Sequence, residues 1–205
     1  MEMARYKKDH KEKARSAILA AAGRRLKRNG FNGVGVDGLM AEAGVTSGAF
    51  YTHFGSKESL LQELMVAAGV TGVERLKSLR EADPDHWLSA YLDSYLSVRH
   101  CEEFDGGCIF AALSADVSRL GEPVRNAYEA SMSAFVAEIA HGLAGDTEPE
   151  QLRSAWTLVA MMMGGVVIAR GLTDSQQAEA LLHAIRVEAN RMIRPVRNSA
   201  ESPIG

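Results

Sequence analysis

GAFYTHFGSKESLL, residues 48–61, sets Phe50, Tyr51, His53 and Phe54 within five positions and follows at once with Ser56-Lys57-Glu58, the opening of a fresh helix. In a helix starting near Ser47, Phe50 and Phe54 stand four apart and share a face, which should be the inward one. Tyr51 and His53 then point away from it. The Tyr51 hydroxyl and a His53 ring N–H can each donate to a phosphate. Lys57, in the first turn of the next helix, adds a cation beside backbone N–H groups that already favour anions. The stretch predicts a packed anchor on one side and a phosphate clamp on the other.

Immediately upstream, VDGLMAEAG (36–44) has helical spacing and ends on a glycine, and TSGAFYTHF (46–54) opens on Thr46, a residue type that caps helices. Two short helices joined by Gly44-Val45-Thr46 fit a helix-turn-helix, with Leu39, Val45 and Phe50 as the small core that sets their angle. In that unit the second helix enters the major groove with its N-terminal residues at the base edges. Gly48 either lets this helix approach DNA closely or is merely tolerated near a helix start.

Apolar residues recur at helical spacing along nearly all of the 205-residue chain, and no sustained period-two alternation appears, so the fold should be all-α. A first helix is expected over about Asp9–Asn29, stopped by Gly30, and a long one over 56–79, capped by Ser56. Asp83-Pro84 should open a helix through Cys101, and Gly106-Gly107 breaks before one over about 108–119. Gly121-Glu122-Pro123 opens another to about Leu143. GDTEPEQ starts a very apolar helix to about Arg170, and Thr173 or Asp174 caps the last, to about Ile193. About nine helices result. They should form a three-helix DNA-binding domain over residues 1–55, a larger helical sensor and dimerisation domain over 56–195, and a flexible tail over 196–205.

The net charge of −3 conceals an asymmetry: residues 1–30 hold ten Lys and Arg against three acids, a net +7 that leaves −10 for the rest. A basic end on an acidic body suits a polyanionic partner, although a solvated Lys-rich helix face has the same composition. No uninterrupted apolar run approaches the eighteen or so residues of a membrane span, and no secretion signal is recognisable, so a cytoplasmic protein with no membrane partner is expected. Cys101 and Cys108 are the only cysteines, too few for a disulfide scaffold.

With Tyr51, His53, Phe54, Ser56, Lys57, Glu58 and Leu60 in the pattern Y-x-H-F-x-S-K-E-x-L, residues 30–65 resemble the DNA-binding domain of TetR-family transcriptional regulators. The resemblance covers about residues 10–65. It implies a homodimer on double-stranded operator DNA and a variable C-terminal helical domain that senses a small molecule. It also implies phosphate contacts from Tyr51, His53 and Lys57, and base reading by Thr46, Ser47, Gly48 and Ala49. Gly35 departs from the family, many members having Ser or Thr there, so a side-chain cap is lost. Gly38 costs that helix about 1 kcal/mol relative to Ala.

A second stretch, HCEEFDGGCIFAALSADVSRLGEPVR (100–125), resembles the G-C-x-x-x-x-L-x-A-E-V segment of TetR-family repressors that respond to electrophiles and oxidants. That resemblance implies a reactive thiol at Cys108 and a second one at Cys101. A thiol at a helix N-terminus has its thiolate stabilised by exposed N–H groups, whereas the neighbouring Glu102, Glu103 and Asp105 oppose it. The alternative is that both cysteines are small core hydrophobes. Metal binding lacks two further ligands at usable spacing, and no cofactor is expected. Trp87, Tyr91, Tyr95, Phe110, Trp156 and Met162 are candidates to line an apolar effector pocket, or are ordinary core.

The last two long helices offer more apolar surface than a lone pair needs, Val159, Met162, Met163, Val166, Val167 and Ile168 facing Leu181, Leu182, Ile185 and Val187. A four-helix bundle from two subunits would bury it. The expected function is a dimeric repressor that is released from a palindromic operator by a small molecule or thiol-reactive signal, and not an enzyme. Two rivals stand beside it: a helical thiol oxidoreductase using Cys101 and Cys108, whose spacing lacks the C-x-x-C pairing, and a ligand-binding helical protein without DNA binding.

Overall fold

The computed structural model describes residues 2–193, with side chains described from residue 11 onward, so the expected tail over 196–205 lies outside the described residues. Within them the chain forms ten helices: α1 (Glu2–Asn29), α2 (Val36–Ala43), α3 (Ser47–His53), α4 (Lys57–Ala82), α5 (Trp87–Tyr95), α6 (Val98–Glu102), α7 (Ile109–Val117), α8 (Glu122–Ala140), α9 (Glu148–Gly171) and α10 (Ser175–Met192). The all-α expectation holds, with no strand among the described residues beyond one isolated bridge between Leu143 and Ile193.

Three boundaries differ from the sequence reading, each for a local reason. The first helix begins at Glu2 instead of Asp9, through a charged stretch that carries no cap or breaker. The single helix expected up to Cys101 is two. It breaks at Leu96, whose φ of −90° and ψ of 53° leave the helical region, and the Ser97 hydroxyl donates to the Ser94 carbonyl at the break. Asp83 caps a turn and not the helix itself: its Oδ1 accepts the His86 N–H at 3.1 Å, and α5 starts only at Trp87.

The residues group into two compact units, one of 2–70 with 99–132, the other of 71–98 with 133–193; α4 and α8 contribute to both. In the first, α1 packs on α2, α3 and α7. Ile18, Leu26, Leu39, Phe50, Leu60, Leu61 and Met65 are fully enclosed. Enclosing a side chain as large as Phe50 contributes about 1.5–3 kcal/mol, which is why a seven-residue helix that could not persist alone holds its place here.

In the second unit α9 packs along α10, and α10 also meets α5. Trp87, Leu88, Leu92, Leu96, Leu158, Val159, Met162 and Leu182 are buried there. A part-buried ion pair ties Arg80 to Glu138, with Nη2 2.7 Å from Oε1. The Asp174 cap read from sequence is present, its Oδ1 accepting the Gln176 N–H at 2.8 Å, and at the start of α9 Glu150 Oε2 accepts the Thr147 N–H at 3.3 Å.

α9 is long and apolar enough to cross a membrane by length and composition, with a mean hydropathy of 1.6 over eighteen residues, although Thr157, Gly164 and Gly165 leave it no unbroken apolar run of that length. Its buried face is spent on α10, which is how a core helix of a folded protein passes the same criterion.

Candidate nucleic-acid interface

The turn between α2 and α3 is built by Gly44. It adopts φ 68° and ψ 29°, the left-handed conformation that only a residue without Cβ takes freely, and its N–H bonds back to the Ala41 carbonyl. Val45 N–H bonds to the Met40 carbonyl at 3.1 Å, closing the helix end. Thr46 then stands at the N-cap of α3 with extended backbone, but its side chain makes no capping hydrogen bond, contrary to the sequence reading. At the start of α4 the expected cap is made, Ser56 Oγ accepting the Ser59 N–H at 3.0 Å.

The aromatic residues sort by direction as their spacing requires. Phe50 is fully enclosed and Phe54 nearly so, their ring centres 5.8 Å apart. Tyr51 sits edge-on to Phe50 at 5.2 Å and is 61% exposed, so the ring is braced from behind while its hydroxyl faces solvent. Thr46 and Gly48 are exposed, and Ser47, Ala49 and His53 are half-buried. Ser47 Oγ donates to Asp37 Oδ1 at 2.6 Å and Thr52 Oγ1 to the Gly48 carbonyl at 2.9 Å. The α2 residue Asp37 therefore orients the first hydroxyl of α3, a role with no signature in the sequence.

His53 lies where the field is positive. Burial, and then the charges of Lys11 and Arg15, hold its imidazole below the ordinary histidine pKa. Arg15 stacks over the Phe54 ring at 5.3 Å and pairs with Glu63.

Lys57 is placed differently from a free phosphate contact. Its Nζ donates to the carbonyls of Phe31 and of Val34, the latter at 2.6 Å, and sits 4.3 Å from the centre of the Phe31 ring. Burial lowers its pKa, and the nearby Asp116 carboxylate partly offsets that. The ammonium staples the loop between α1 and α2, with one N–H left over from its three.

Much of the basic surface expected at the N-terminal end is internally paired. Arg24 and Arg25 both reach Glu42, and Arg28 makes a two-pronged pair with Asp105. These five side chains line a shallow pocket of about 280 Å³.

The remaining candidates fall in two places. Trp87, Tyr91, Tyr95 and Met162 are buried in the second unit, where the Tyr91 and Tyr95 rings lie 5.9 Å apart. Trp156, expected inside, is 48% exposed on α9. Phe110 belongs to the first unit, against Tyr128 at 5.7 Å. Cys101 is buried, whereas Cys108 is half-buried at the N-cap of α7, its Sγ accepting the Ala111 N–H at 3.5 Å. No group of three or more metal-ligating side chains occurs among the described residues.

Comparison with known proteins agrees with this geometry along most of the chain. Among curated proteins, the HTH-type transcriptional regulator LmrA of Bacillus subtilis is 27% identical over 175 residues, covering 83% of this chain and 92% of LmrA. The HTH-type transcriptional repressor NemR of Escherichia coli is 26% identical over 186 residues, covering 85% and 94%. The crystal structure of E. coli NemR in its reduced form superposes with a TM-score of 0.75 at 24% identity, over 90% of this chain and 99% of that one. A TetR-family regulator from Agrobacterium tumefaciens matches with a TM-score of 0.75 at 19% identity, over 90% and 100%. Residues 18–64 match the family of bacterial regulatory proteins named for TetR, and 85–185 match the tetracyclin repressor-like C-terminal domain. A glycine-built turn, an enclosed Phe50–Phe54 anchor and a family match running through both parts of the chain lead to one assignment: this protein belongs to the TetR family of DNA-binding transcriptional regulators.

Proposed function

We propose that this regulator is a cytoplasmic repressor that binds a palindromic operator as a homodimer and releases it when an effector reaches its C-terminal part. The observation that carries the reading is the outward face of α3, where Thr46, Gly48 and Tyr51 are exposed directly above the enclosed Phe50. Thr46, Ser47, Gly48 and Ala49 meet base edges, while Tyr51, His53 and the spare N–H of Lys57 meet phosphates. Residues 1–55 serve DNA binding, and 56–195 serve sensing and dimerisation.

Dimerisation is supported by the exposed apolar side chains of α9 and α10, Trp156, Val167, Ile168 and Val187. Joining two such pairs into a four-helix bundle removes them from water and sets the two recognition helices about one helical turn of DNA apart. A differential affinity of about 1–3 kcal/mol between effector-free and effector-bound states changes operator occupancy roughly 5- to 150-fold.

Two signals compete. A thiol-reactive one is supported by Cys108, half-buried at a helix N-cap while Cys101 is buried. An apolar ligand is supported by the aromatic interior of the second unit at Trp87, Tyr91 and Tyr95. Titrating the protein onto its own upstream duplex at fixed salt, before and after treatment with N-ethylmaleimide, separates them. Loss of binding that a Cys108→Ser protein resists identifies the thiol. Binding that survives alkylation of both cysteines turns the search to apolar ligands. Absence of binding at any salt concentration rejects the operator reading.

A further inference from the structure

The Ser47 hydroxyl, on the first residue of α3, has its direction fixed from another helix. Ser47 Oγ lies 2.6 Å from Asp37 Oδ1 on α2, within the range of about 2.5–2.7 Å typical of a hydroxyl bonded to a carboxylate. A carboxylate oxygen only accepts, so the serine proton is committed to Asp37 and Oγ is left with lone pairs alone. The threonines of the same stretch are set differently. Thr52 Oγ1 donates back to the Gly48 carbonyl at 2.9 Å, and the Thr46 side chain makes no capping bond. Ser47 differs from both in being turned by an acidic side chain that lies ten positions upstream.

The surroundings suit contact with a base edge. Ser47 is half-buried between exposed Thr46 and Gly48. Its side chain is short, so it touches a base only where the helix backbone comes close to the groove floor. A Cβ on Gly48 would meet only Thr46 Oγ1, at 3.9 Å, and Gly48 is not among the glycines with positive φ. Neither packing nor backbone conformation within the protein requires a glycine there, whereas close approach to a large partner makes use of one. Asp37 itself is exposed in the first turn of α2, where its charge opposes the attraction of this face for phosphates. Its contribution to a DNA complex is therefore sought in the bond to Ser47. In the major groove adenine N6 and cytosine N4 are the amino donors, while guanine O6 and N7 and thymine O4 accept. An Oγ that offers lone pairs alone attracts the first two bases and repels the other two.

We propose that Asp37 is a specificity-determining residue that makes Ser47 an obligate acceptor, so that one position of each operator half-site takes adenine or cytosine, in preference to guanine or thymine, on the strand that Ser47 faces. This rests on the operator reading and adds a rule for the sequence that is read. A serine without Asp37 could donate as well as accept and would impose no such rule. Each base pair carries one amino donor in the major groove, on one strand or the other. The rule therefore splits the four possible base pairs by the strand of the amino group, and neither by purine against pyrimidine nor by A·T against G·C.

The test selects duplexes from a random library with the full-length protein, then varies the selected sequence one base pair at a time in anisotropy titrations at fixed salt. Ser47→Ala locates the position, where its preference among base pairs is lost. There the parent should bind the two duplexes with the amino group on one strand about fivefold or more tighter than the two with it on the other. Asp37→Asn keeps the shape but lets its amide donate to Oγ, which frees the serine proton, and the ratio should fall below about twofold while preferences at other positions remain. Asp37→Ala should behave alike, so the test survives misfolding of either variant. Exchanging the preferred adenine for purine, or cytosine for 2-pyrimidinone, removes only the amino group and should weaken the parent about threefold or more while leaving Ser47→Ala unchanged. A parent preference that splits by purine or by A·T content overturns the proposal. So does a ratio kept in both Asp37 variants, or lost in them together with the preferences at every other position, because the carboxylate would then serve only the packing of α2 on α3. A Ser47→Ala protein that alters no position also overturns it, and makes Asp37 the reader if the Asp37 variants do alter one. A parent that selects no duplex rejects the operator reading, and the proposal falls with it at the selection step.

Discussion

Lys57 and Phe31 are joined twice, the ammonium donating to the Phe31 carbonyl while lying 4.3 Å from the centre of its ring. A charge-assisted hydrogen bond and a cation–π contact thus converge on the residue that also bonds Asp116. Replacing Lys57 with Met keeps the aliphatic stem and removes both. The expected cost is about 1–3 kcal/mol of stability, read by urea denaturation, since the carbonyls of Phe31 and Val34 lose their donor. Operator affinity should fall as well. If the spare N–H reaches a phosphate, the slope of log affinity against log salt drops by about 0.9 for each subunit. An unchanged slope alongside lost affinity would make Lys57 a staple of the loop and nothing more.

The proposed phosphate contact of His53 predicts a pH dependence of defined sign for operator binding. The His53 pKa is depressed first by burial, then by Lys11 and Arg15, so the ring is neutral in the free protein at pH 7.5. A phosphate brought against the ring favours the cation and raises the pKa, so binding takes up a proton between the two values. Affinity should therefore rise as pH falls from 7.5, by at most about tenfold per pH unit for each subunit, and level off below the depressed value. The same depression acts oppositely on folding: below the ordinary histidine value of about 6.5 the unfolded chain binds more protons than the folded one, and stability contributed at His53 declines. Fluorescence anisotropy at constant ionic strength measures the first effect. A His53→Gln protein with the same pH slope as the parent rules the contact out.

The reach of the sequence can be judged from these same residues. Phe50, Phe54 and Tyr51 could be assigned to opposite sides because a helical period acts within one turn, and Ser56 and Asp174 could be named as caps because their partners lie two or three residues away. The two acceptors of Lys57 are backbone carbonyls 23 and 26 positions distant, which no residue type announces. Asp105 and Asp116 were equally silent, their partners Arg28 and Phe31 lying 77 and 85 positions away. On α9 the period was visible but its phase was not, because a helix apolar on most sides offers Trp156 and Met162 as equally plausible core residues; packing on α10 exposes the first and buries the second. The break at Leu96 carries neither Gly nor Pro, so nothing local marked it.

The exposed stripe on α9 leads to a prediction about assembly. Trp156 and Val167 are eleven residues apart, three helical turns, and therefore share a face that continues into Ile168. Val167 is 51% and Ile168 56% exposed in the single chain. Changing both to Glu should leave helix content unchanged and yield a monomer by sedimentation equilibrium. Operator affinity should then fall by roughly 10²- to 10⁴-fold, because the two half-sites are no longer engaged by one particle. A dimer that survives the double substitution places the subunit contact elsewhere.

A close approach between α4 and α8 supplies a control on the packing itself. Gly69 and Ser131 are both buried, and a Cβ built on Gly69 would lie 2.5 Å from the Ser131 Cβ, while Ser131 Oγ donates to the Met65 carbonyl at 3.1 Å. Neither atom can yield without moving a helix, since the clash is with a Cβ and not with the end of a flexible chain. Gly69→Ala should therefore destabilise by about 1–3 kcal/mol despite the gain in helix propensity. Three residues on, a Cβ built on Gly72 would meet the Phe135 ring at 3.4 Å, an ordinary contact. There propensity prevails, and Gly72→Ala should be neutral or stabilise by up to about 1 kcal/mol. Adding Ser131→Gly to Gly69→Ala removes the opposing Cβ and should recover part of the loss. Thermal unfolding of the four proteins at one concentration measures all of this, and equal melting temperatures for the two single alanine variants would mean that the helices do not approach as closely as described.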